Sequence, residues 1–292
     1  MKVLNFVRPE NGLTEDPLYY MNFEKYENVA RDCYFFMADF CKDLYSGRYN
    51  DKEKAVLCLE EPNFCVGDGE LAQLHEHADV IYTLCPFTAS LFDNRQEVFF
   101  PFSEDYIPPI MDKVIDVCYF GSLPTAVPWD KYLTNVAFKY NWRFGNYNMG
   151  NVPKSSYIQK IAMMASSKVT LVHGMCNINP STKDRYMSFP RGRENQAFTH
   201  IDAGMVPQIK SRMFEAAFSK CLMLCQRDPW NVIERWFTPD QEFIYFDDEA
   251  DLSIKMDHIL NHYCEFDEIR NNAYNRAMNN YTTKHFVDRF LI

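Results

Sequence analysis

The chain has 292 residues, 47% of them apolar and 16% aromatic, and carries a formal net charge of −10. That composition supplies a packed core for one large domain or two smaller ones and excludes an intrinsically disordered chain. The negative balance argues against non-specific nucleic-acid binding, which needs Lys and Arg to displace counterions, so a bound anion must be held by a local cluster of cations.

Short apolar runs alternate with stretches of helical spacing. KVLNFV (Lys2–Val7) reads as a first strand, and the polar loop PENGLTEDP follows it. From Tyr26 to Tyr45, apolar and aromatic residues such as Tyr34, Met37, Phe40 and Leu44 recur at helical spacing, which predicts a helix. KAVLCL (Lys54–Leu59) predicts a strand that stops at Glu60–Glu61 before Pro62, and GELAQLHEHA a helix. DVIYTLC (Asp79–Cys85) is the next predicted strand, and EVFFPF (Glu97–Phe102) the last short one of this half. The proline pair of SEDYIPPIMDK (Ser103–Lys113) breaks the pattern and marks a boundary between 1–107 and 108–292.

The second half restarts with VIDVCYFGS (Val114–Ser122), a strand stopping at Gly121–Ser122. A helix is predicted from Asp130 to Tyr140, a strand at NWRFGNY, a helix at SSYIQKIAMMASS (Ser155–Ser167) and a strand at KVTLVHG (Lys168–Gly174). Residues 175–207 are polar and irregular, and loops of that length in compact domains are often functional. QIKSRMFEAAFSKCLMLCQRD (Gln208–Asp228) then reads as a helix running into an apolar strand, and EFIYFDD (Glu242–Asp248) and two helical segments complete the chain. Strands alternating with helices predict parallel sheets covered on both faces, here in two α/β lobes joined near residue 107. Ligands of such sheets bind beyond the carboxyl ends of the strands, so the cleft between lobes is the expected site.

Ten cysteines are scattered through the chain with no CxxC pair, and no signal-peptide pattern leads it, which predicts free thiols in a reducing, cytoplasmic setting. No apolar run reaches the ~20 residues needed to cross a bilayer. His75 and His77 form an HxH pair, but on a helix they point to different faces, so no metal site is expected there. His173 and His200 read as structural histidines placed within reach of the cleft.

The densest candidate chemistry is Lys210, Arg212 and Glu215. At the start of a helix, free first-turn N–H groups and the dipole favour an anion, and two cations add charge-assisted hydrogen bonds of the kind a diphosphate needs. The same block also fits a solvated helix start with its Glu favourably near the positive end of the dipole. Arg185, Arg191 and Arg193, in the preceding long loop, either add charge to a phosphate or belong to an ordinary surface loop. There is no G-x-x-x-x-G-K-[ST] loop, no G-x-G-x-x-G and no strand ending in Asp-x-Asp.

In the order KSRMFEAAFSKCLMLCQRD, FTPDQEFIYFDDEADL and RNNAYNRAMNNYTTKHFVDRF, the stretch from Val206 to Phe290 resembles the donor-binding half of group-1 glycosyltransferases, especially their CgeB-like relatives. VIDVCYFGS resembles the first strand of that family's second domain, with Gly121–Ser122 at the phosphate-facing turn, and LEEP followed by ADVIYTLC resembles the N-terminal half of CgeB-like proteins. Exostosin-like transferases share a comparable Arg-x-x-Glu helix, so that branch stays open. The resemblance implies a GT-B fold of two Rossmann-like lobes whose parallel sheets face each other across a cleft. Residues 1–107 would form the acceptor-side lobe and 108–292 the donor lobe, with the last helix able to pack back on the first lobe.

The implied activity is a metal-independent glycosyltransferase with no cofactor. It would move a sugar from a nucleotide-diphosphate donor, such as a UDP-sugar, to a hydroxyl of a glycan or glycoconjugate. The implied donor site is Gly121, Ser122, Arg191, Arg193, Lys210, Arg212 and Glu215, with Glu215 holding the ribose. A carboxylate of the first lobe would take the acceptor proton: Asp16 is the first candidate and Glu61 the second. Leaving-group charge would be carried by cations and helix N-termini. The sequence departs from the family pattern at Gln208, where group-1 enzymes commonly carry a second Glu, and at Ser219–Lys220, where a glycine is usual. Those departures keep two other readings open: a catalytically degenerate glycan-binding or structural protein, and a nucleotide-sugar epimerase of the same architecture.

Overall fold

The computed structural model describes residues 4–6, 21–26, 32–37, 44, 47–59, 61, 74, 76–121, 131–145, 156–177 and 205–292. The first half contributes β1 (Leu4–Phe6), β2 (Cys33–Met37), β3 (Glu53–Cys58), β4 (Val80–Thr83) and β5 (Arg95–Glu97), paired in that order and all parallel. The second half contributes β6 (Ile115–Phe120), β7 (Trp142–Gly145) and β8 (Ser167–Val172), then a short antiparallel ribbon of β9 (Met175–Asn177) with β10 (Met205–Pro207). It ends with β11 (Leu222–Gln226) and β12 (Ile244–Phe246). Its five-stranded sheet is also all parallel, in the order β12-β11-β8-β6-β7.

The strands follow from the apolar runs. All five residues of β11, and Ala55 to Cys58 of β3, are buried, as parallel strands covered on both faces require. β2 corrects the sequence reading, because the centre of the helix predicted over Tyr26–Tyr45 is a strand between β1 and β3. Tyr34 and Met37 fit a helical period, but CYFFM is a continuous apolar run of strand length, and Cys33, Phe35 and Phe36 are buried. The strand predicted over Glu97–Phe102 also shifts, to Arg95–Glu97. Beyond it Pro101 has no N–H for a ladder, and the buried Val98, Phe99, Phe100 and Phe102 serve the core instead.

Helices cover the sheets. α1 (Pro86–Leu91), which the periodicity missed, opens on a proline at its first turn. A π-helical turn (Tyr132–Val136) runs into a 3-10 turn (Ala137–Lys139). α2 (Tyr157–Ala165) starts with a capping box in which Ser156 and Gln159 satisfy each other's backbone N–H groups. α3 (Ser211–Phe218) packs with α2 on one face of the second sheet, through Met213, Phe214, Ala216 and Ala217. α4 (Glu249–Asn261) and the turn at 132–139 cover the other face, through Tyr132, Leu133, Leu252 and Met256.

After α5 (Asp267–Asn280), the chain returns to the first sheet through α6 (Thr283–Phe286) and a π-helical turn (Val287–Leu291). Phe286 is fully buried, with ring centroids 4.8 to 6.3 Å apart in the cluster it forms with Phe23, Phe35, Tyr82 and Phe99. Tyr82 Oη donates to the Phe290 carbonyl at 2.6 Å, and the Thr283 N–H donates to the Phe102 carbonyl at 3.0 Å. Truncating one aromatic in such a cluster costs about 3–5 kcal/mol, so the C-terminal helix is a structural tie between the two sheets. None of the described cysteines, at 33, 58, 85, 118, 176, 221, 225 and 264, forms a disulfide, and among them only Cys264 is exposed. Among the described residues no helix is long and apolar enough to cross a membrane.

Candidate functional site

In the second sheet the chain adds β7 on one side of β6 and then returns to add β8 on the other. Crossovers leave this point in opposite directions, and the crevice so formed at the carboxyl ends is where open α/β sheets bind ligands. The first sheet runs in sequence order and has no such reversal among its described strands.

Gly121 follows β6 at this point, and the α3 side chain Arg212 lies on it. The position has φ +145°, a conformation that favours glycine. A Cβ there would stand 1.9 Å from Arg212 Nη2 and 2.5 Å from Cζ, so only glycine leaves room for the guanidinium. The guanidinium also stacks on Tyr119, 4.7 Å from the ring centroid. Arg212 is 8% exposed, its Nη1 is buried without a hydrogen-bond acceptor, and no ion pair engages it among the described residues. The N-cap of α3 is Lys210, whose side chain makes no cap hydrogen bond, and the Met213 N–H turns back to the Lys210 carbonyl at 3.0 Å. This end of the sheet therefore offers a buried cation and a helix N-terminus.

His173, just past β8, belongs to the same cluster. Its Nδ1 lies 2.9 Å from the Met175 carbonyl, which can only accept, so Nδ1 carries the proton and Nε2 accepts from Tyr119 Oη at 3.3 Å. Burial, then the charges of Arg212 and Lys210, hold the imidazole well below its usual range, so it stays neutral. Past β11, Asp228 accepts from the backbone N–H of Trp230 at 2.9 Å and of Val232 at 3.2 Å. A Cβ on Gly174 would stand 2.8 Å from Asp228 Oδ2, so this second glycine also makes way for a side chain at the strand ends.

The remaining expected residues divide. Lys210 Nζ donates to Gln208 Oε1. Glu215 turns away from Arg212 into the α2–α3 contact, where it is fully buried. Tyr157 Oη donates to its Oε1 at 2.8 Å, and Lys160 Nζ is 2.5 Å from Oε2. A ribose would have to displace one of these partners to reach it. Glu61 is likewise fully buried, 2.9 Å from Arg95 Nε and 2.6 Å from Thr88 Oγ1, so its carboxylate serves a structural ion pair. As placed, it is not free to act as a base. His77 is helical and partly exposed. Asp16, Ser122, Arg191 and Arg193 lie outside the described residues, as do Glu60, His75, Arg185 and His200. Tyr119, two residues before Gly121, and Asp228, the last residue of the stretch Gln208–Asp228, were not among the expected site residues, although both lay inside quoted runs.

Residues 107–292 match the model of a family described as glycosyl transferase-like. The chain belongs to the glycosyl transferase-like family. No curated protein matches this family member's sequence. Among solved structures, a crystal structure of TarM is similar at 10% identity and a TM-score of 0.53, over 91% of this chain and 56% of TarM. A mutant of S. aureus TarM, in complex with Fondaparinux, alpha-GlcNAc-glycerol and UDP, is similar at 10% identity and a TM-score of 0.54, with the same 91% and 56% coverage. Anabaena HepE in complex with UDP and glucose gives 8% identity and a TM-score of 0.48, over 81% of this chain and 70% of that one. The likeness to TarM is one of fold, the two-lobed GT-B arrangement, and this transferase-like chain spans little more than half of TarM's length.

Two outcomes follow from the geometry of this site. Gly121→Ala forces a methyl into the Arg212 guanidinium and should destabilise the protein by roughly 1–3 kcal/mol, and by less in an Arg212→Ala background, where only backbone strain remains. Urea denaturation of the four proteins in that cycle checks it, and equal costs in both backgrounds would contradict the contact. Burial also raises the Asp228 carboxyl from 3.8 to about 6. A carboxyl raised on folding stabilises the native state fully below its unfolded value, and that contribution is lost as pH rises through the folded value. The stability of the wild type relative to Asp228→Asn should therefore fall by roughly 2–3 kcal/mol between about pH 4 and pH 7; parallel pH curves from denaturant titrations would contradict it.

Proposed function

We propose that this protein is a glycosyltransferase that moves a sugar from a nucleotide-diphosphate donor, a UDP-sugar in the first instance, to a hydroxyl of a glycan or glycoconjugate. The observation that carries the proposal is the Arg212 guanidinium, buried on Gly121 at the strand-order reversal with Nη1 lacking an acceptor. An anion seated there would gain charge-assisted hydrogen bonds from Arg212 and the uncapped amides of α3. Family membership supports the activity, and the TarM mutant of similar fold was solved with UDP.

In the proposed reaction the bond from the sugar's anomeric carbon to the diphosphate oxygen breaks, and negative charge grows on the departing diphosphate. Arg212, the α3 amides and Lys210 meet that charge. Preorganised donors of this kind are worth more than equivalent groups in water, because they need no reorganisation as the charge develops. The acceptor hydroxyl bonds to the anomeric carbon and gives its proton to a first-lobe carboxylate. Asp16 remains the candidate for that role, since Glu61 is held by Arg95.

Ser122, Arg191 and Arg193 are proposed to add to the donor side. The segment carrying the two arginines starts after β9 and ends before β10, a ribbon between His173 and Gln208. Glu215 is proposed to act by fixing α3 against α2, with ribose contact only after exchange of a partner. With the leaving-group charge met by cations, no metal or other cofactor is needed. The boundary near residue 107 and a reducing, cytoplasmic setting, supported by buried cysteines that form no disulfide among the described residues, complete the proposal. The internal pairing of Glu61 and Glu215 favours one competitor, a lobe pair that binds glycans without turnover.

A thermal-shift screen with UDP, GDP and their sugar conjugates, followed by product analysis with glycan acceptors, decides between these readings. The transferase is expected to be stabilised by one nucleoside diphosphate and to give a glycosylated product unaffected by a chelator. Arg212→Ala should lower kcat/KM by about 10²- to 10³-fold. Stabilisation by glycans alone would favour the binding protein, and donor epimerisation or hydrolysis without transfer would favour the epimerase or a hydrolase.

A further inference from the structure

The segment that leads into α3 is held from both sheets at once, and one side chain both ties it to the first sheet and holds Lys210. Gln208 is 2% exposed. Its backbone N–H donates to the Gly174 carbonyl, just past β8, at 2.9 Å. Its side-chain Nε2 donates to the Glu61 carbonyl, past β3 of the first sheet, at 2.6 Å. Its Oε1 accepts from the Lys210 ammonium. Flanking contacts run the same way: the Ile209 N–H reaches the Leu84 carbonyl at 3.4 Å, and the Cys85 thiol reaches the Pro207 carbonyl at 3.8 Å.

The far end of this tie is rigid. Glu61 is fixed by Arg95 at 2.9 Å and Thr88 at 2.6 Å, and these groups are buried. The residue whose backbone accepts from Gln208 is thus itself clamped to β5 and α1 by its carboxylate.

The chemistry of this position calls for an amide. Only a group with a donor and an acceptor can hold the Glu61 carbonyl and the Lys210 ammonium together. A carboxylate of the same shape would keep Lys210 as an ion pair. It could not donate to the carbonyl, and it would set negative charge against the carbonyl oxygen in a buried place. An aliphatic side chain would do neither.

We infer that Gln208 is a positioning residue that couples the two lobes at the donor site: it sets the Lys210 ammonium beside the start of α3 and refers that setting to the clamped end of β3. The inference rests on the proposed diphosphate role of Lys210, through which Gln208 acts. It also gives the first lobe a physical route to the donor side, since a shift at residues 61 or 84–85 moves the frame of Lys210.

The test is a double-mutant cycle read as Kd by calorimetry, using UDP or GDP, whichever gives the larger thermal shift. Gln208→Leu is expected to weaken binding about tenfold or more, because it removes both the acceptor that sets the ammonium and its tie to the first lobe without adding charge. Lys210→Met should weaken binding similarly, and the double variant should bind no worse than Lys210→Met alone. Losses that multiply would overturn the inference. Arg235→Ala serves as the control, since it breaks a different contact between the halves, with Glu97, without touching Lys210. It should leave Kd within about twofold, and a loss equal to that of Gln208→Leu would reduce Gln208 to a general stabiliser.

A second measurement needs no nucleotide. Hydrogen exchange at the backbone amides of residues 208–209 should quicken in Gln208→Leu relative to wild type, and unchanged exchange overturns the tie. Quickened exchange in a protein that binds no nucleoside diphosphate would support the tie and overturn the transferase reading.

Discussion

Arg212 is a buried cation in a place that disfavours cations. It stands in the first turn of α3, where the helix dipole is positive, and it lacks a carboxylate partner among the described residues. An unpaired buried charge costs several kcal/mol. Stacking on Tyr119 returns about 0.5–2 kcal/mol, which does not balance it. A bound anion would offset the remainder. The neutral His173 belongs to the same picture, because burial first, and then the field of Arg212 and Lys210, oppose its protonation and so prevent a third charge in the cluster.

The fold is arranged around that constraint. Strand order reverses at β6, and at the carboxyl ends there Gly121 makes room for Arg212 and Gly174 for Val232 and Asp228. The first sheet contributes through backbone carbonyls: Glu61 and Leu84 take hydrogen bonds from Gln208 and Ile209 at the entrance to α3. Phe286 and its aromatic neighbours hold the C-terminal helix against the first sheet. The two carboxylates most visible in the sequence, Glu61 and Glu215, turn out to serve this framework. Each is fully buried and paired with a cation, Arg95 or Lys160.

Much of the fold was legible because the second half obeys simple patterns. Val114–Ser122, Lys168–Gly174 and the run after Lys220 are mainly apolar segments separated by amphipathic ones, and each proved to hold a parallel strand. The first half was harder. CYFFM satisfies a helical period and a buried strand equally, and only pairing with β1 and β3 decides between them. Within the site, the basic start of α3 and the glycine after β6 were both visible, but their mutual contact was not, since it depends on tertiary placement. Sequence also cannot say which way a buried carboxylate turns. Glu215 looks available on a helical wheel, and the tyrosine and lysine that engage it come from α2, more than fifty residues earlier.

Whether the Arg212 cluster grips a diphosphate is tested by the affinity of the protein for uridine, UMP and UDP compared at one ionic strength. Two phosphates facing a buried guanidinium, an uncapped helix start and Lys210 should make UDP the tightest ligand, with UMP intermediate and uridine weakest, and added salt should compress the series. Equal affinity for all three, insensitive to salt, would mean that Arg212 holds no phosphate and that its burial has another cause.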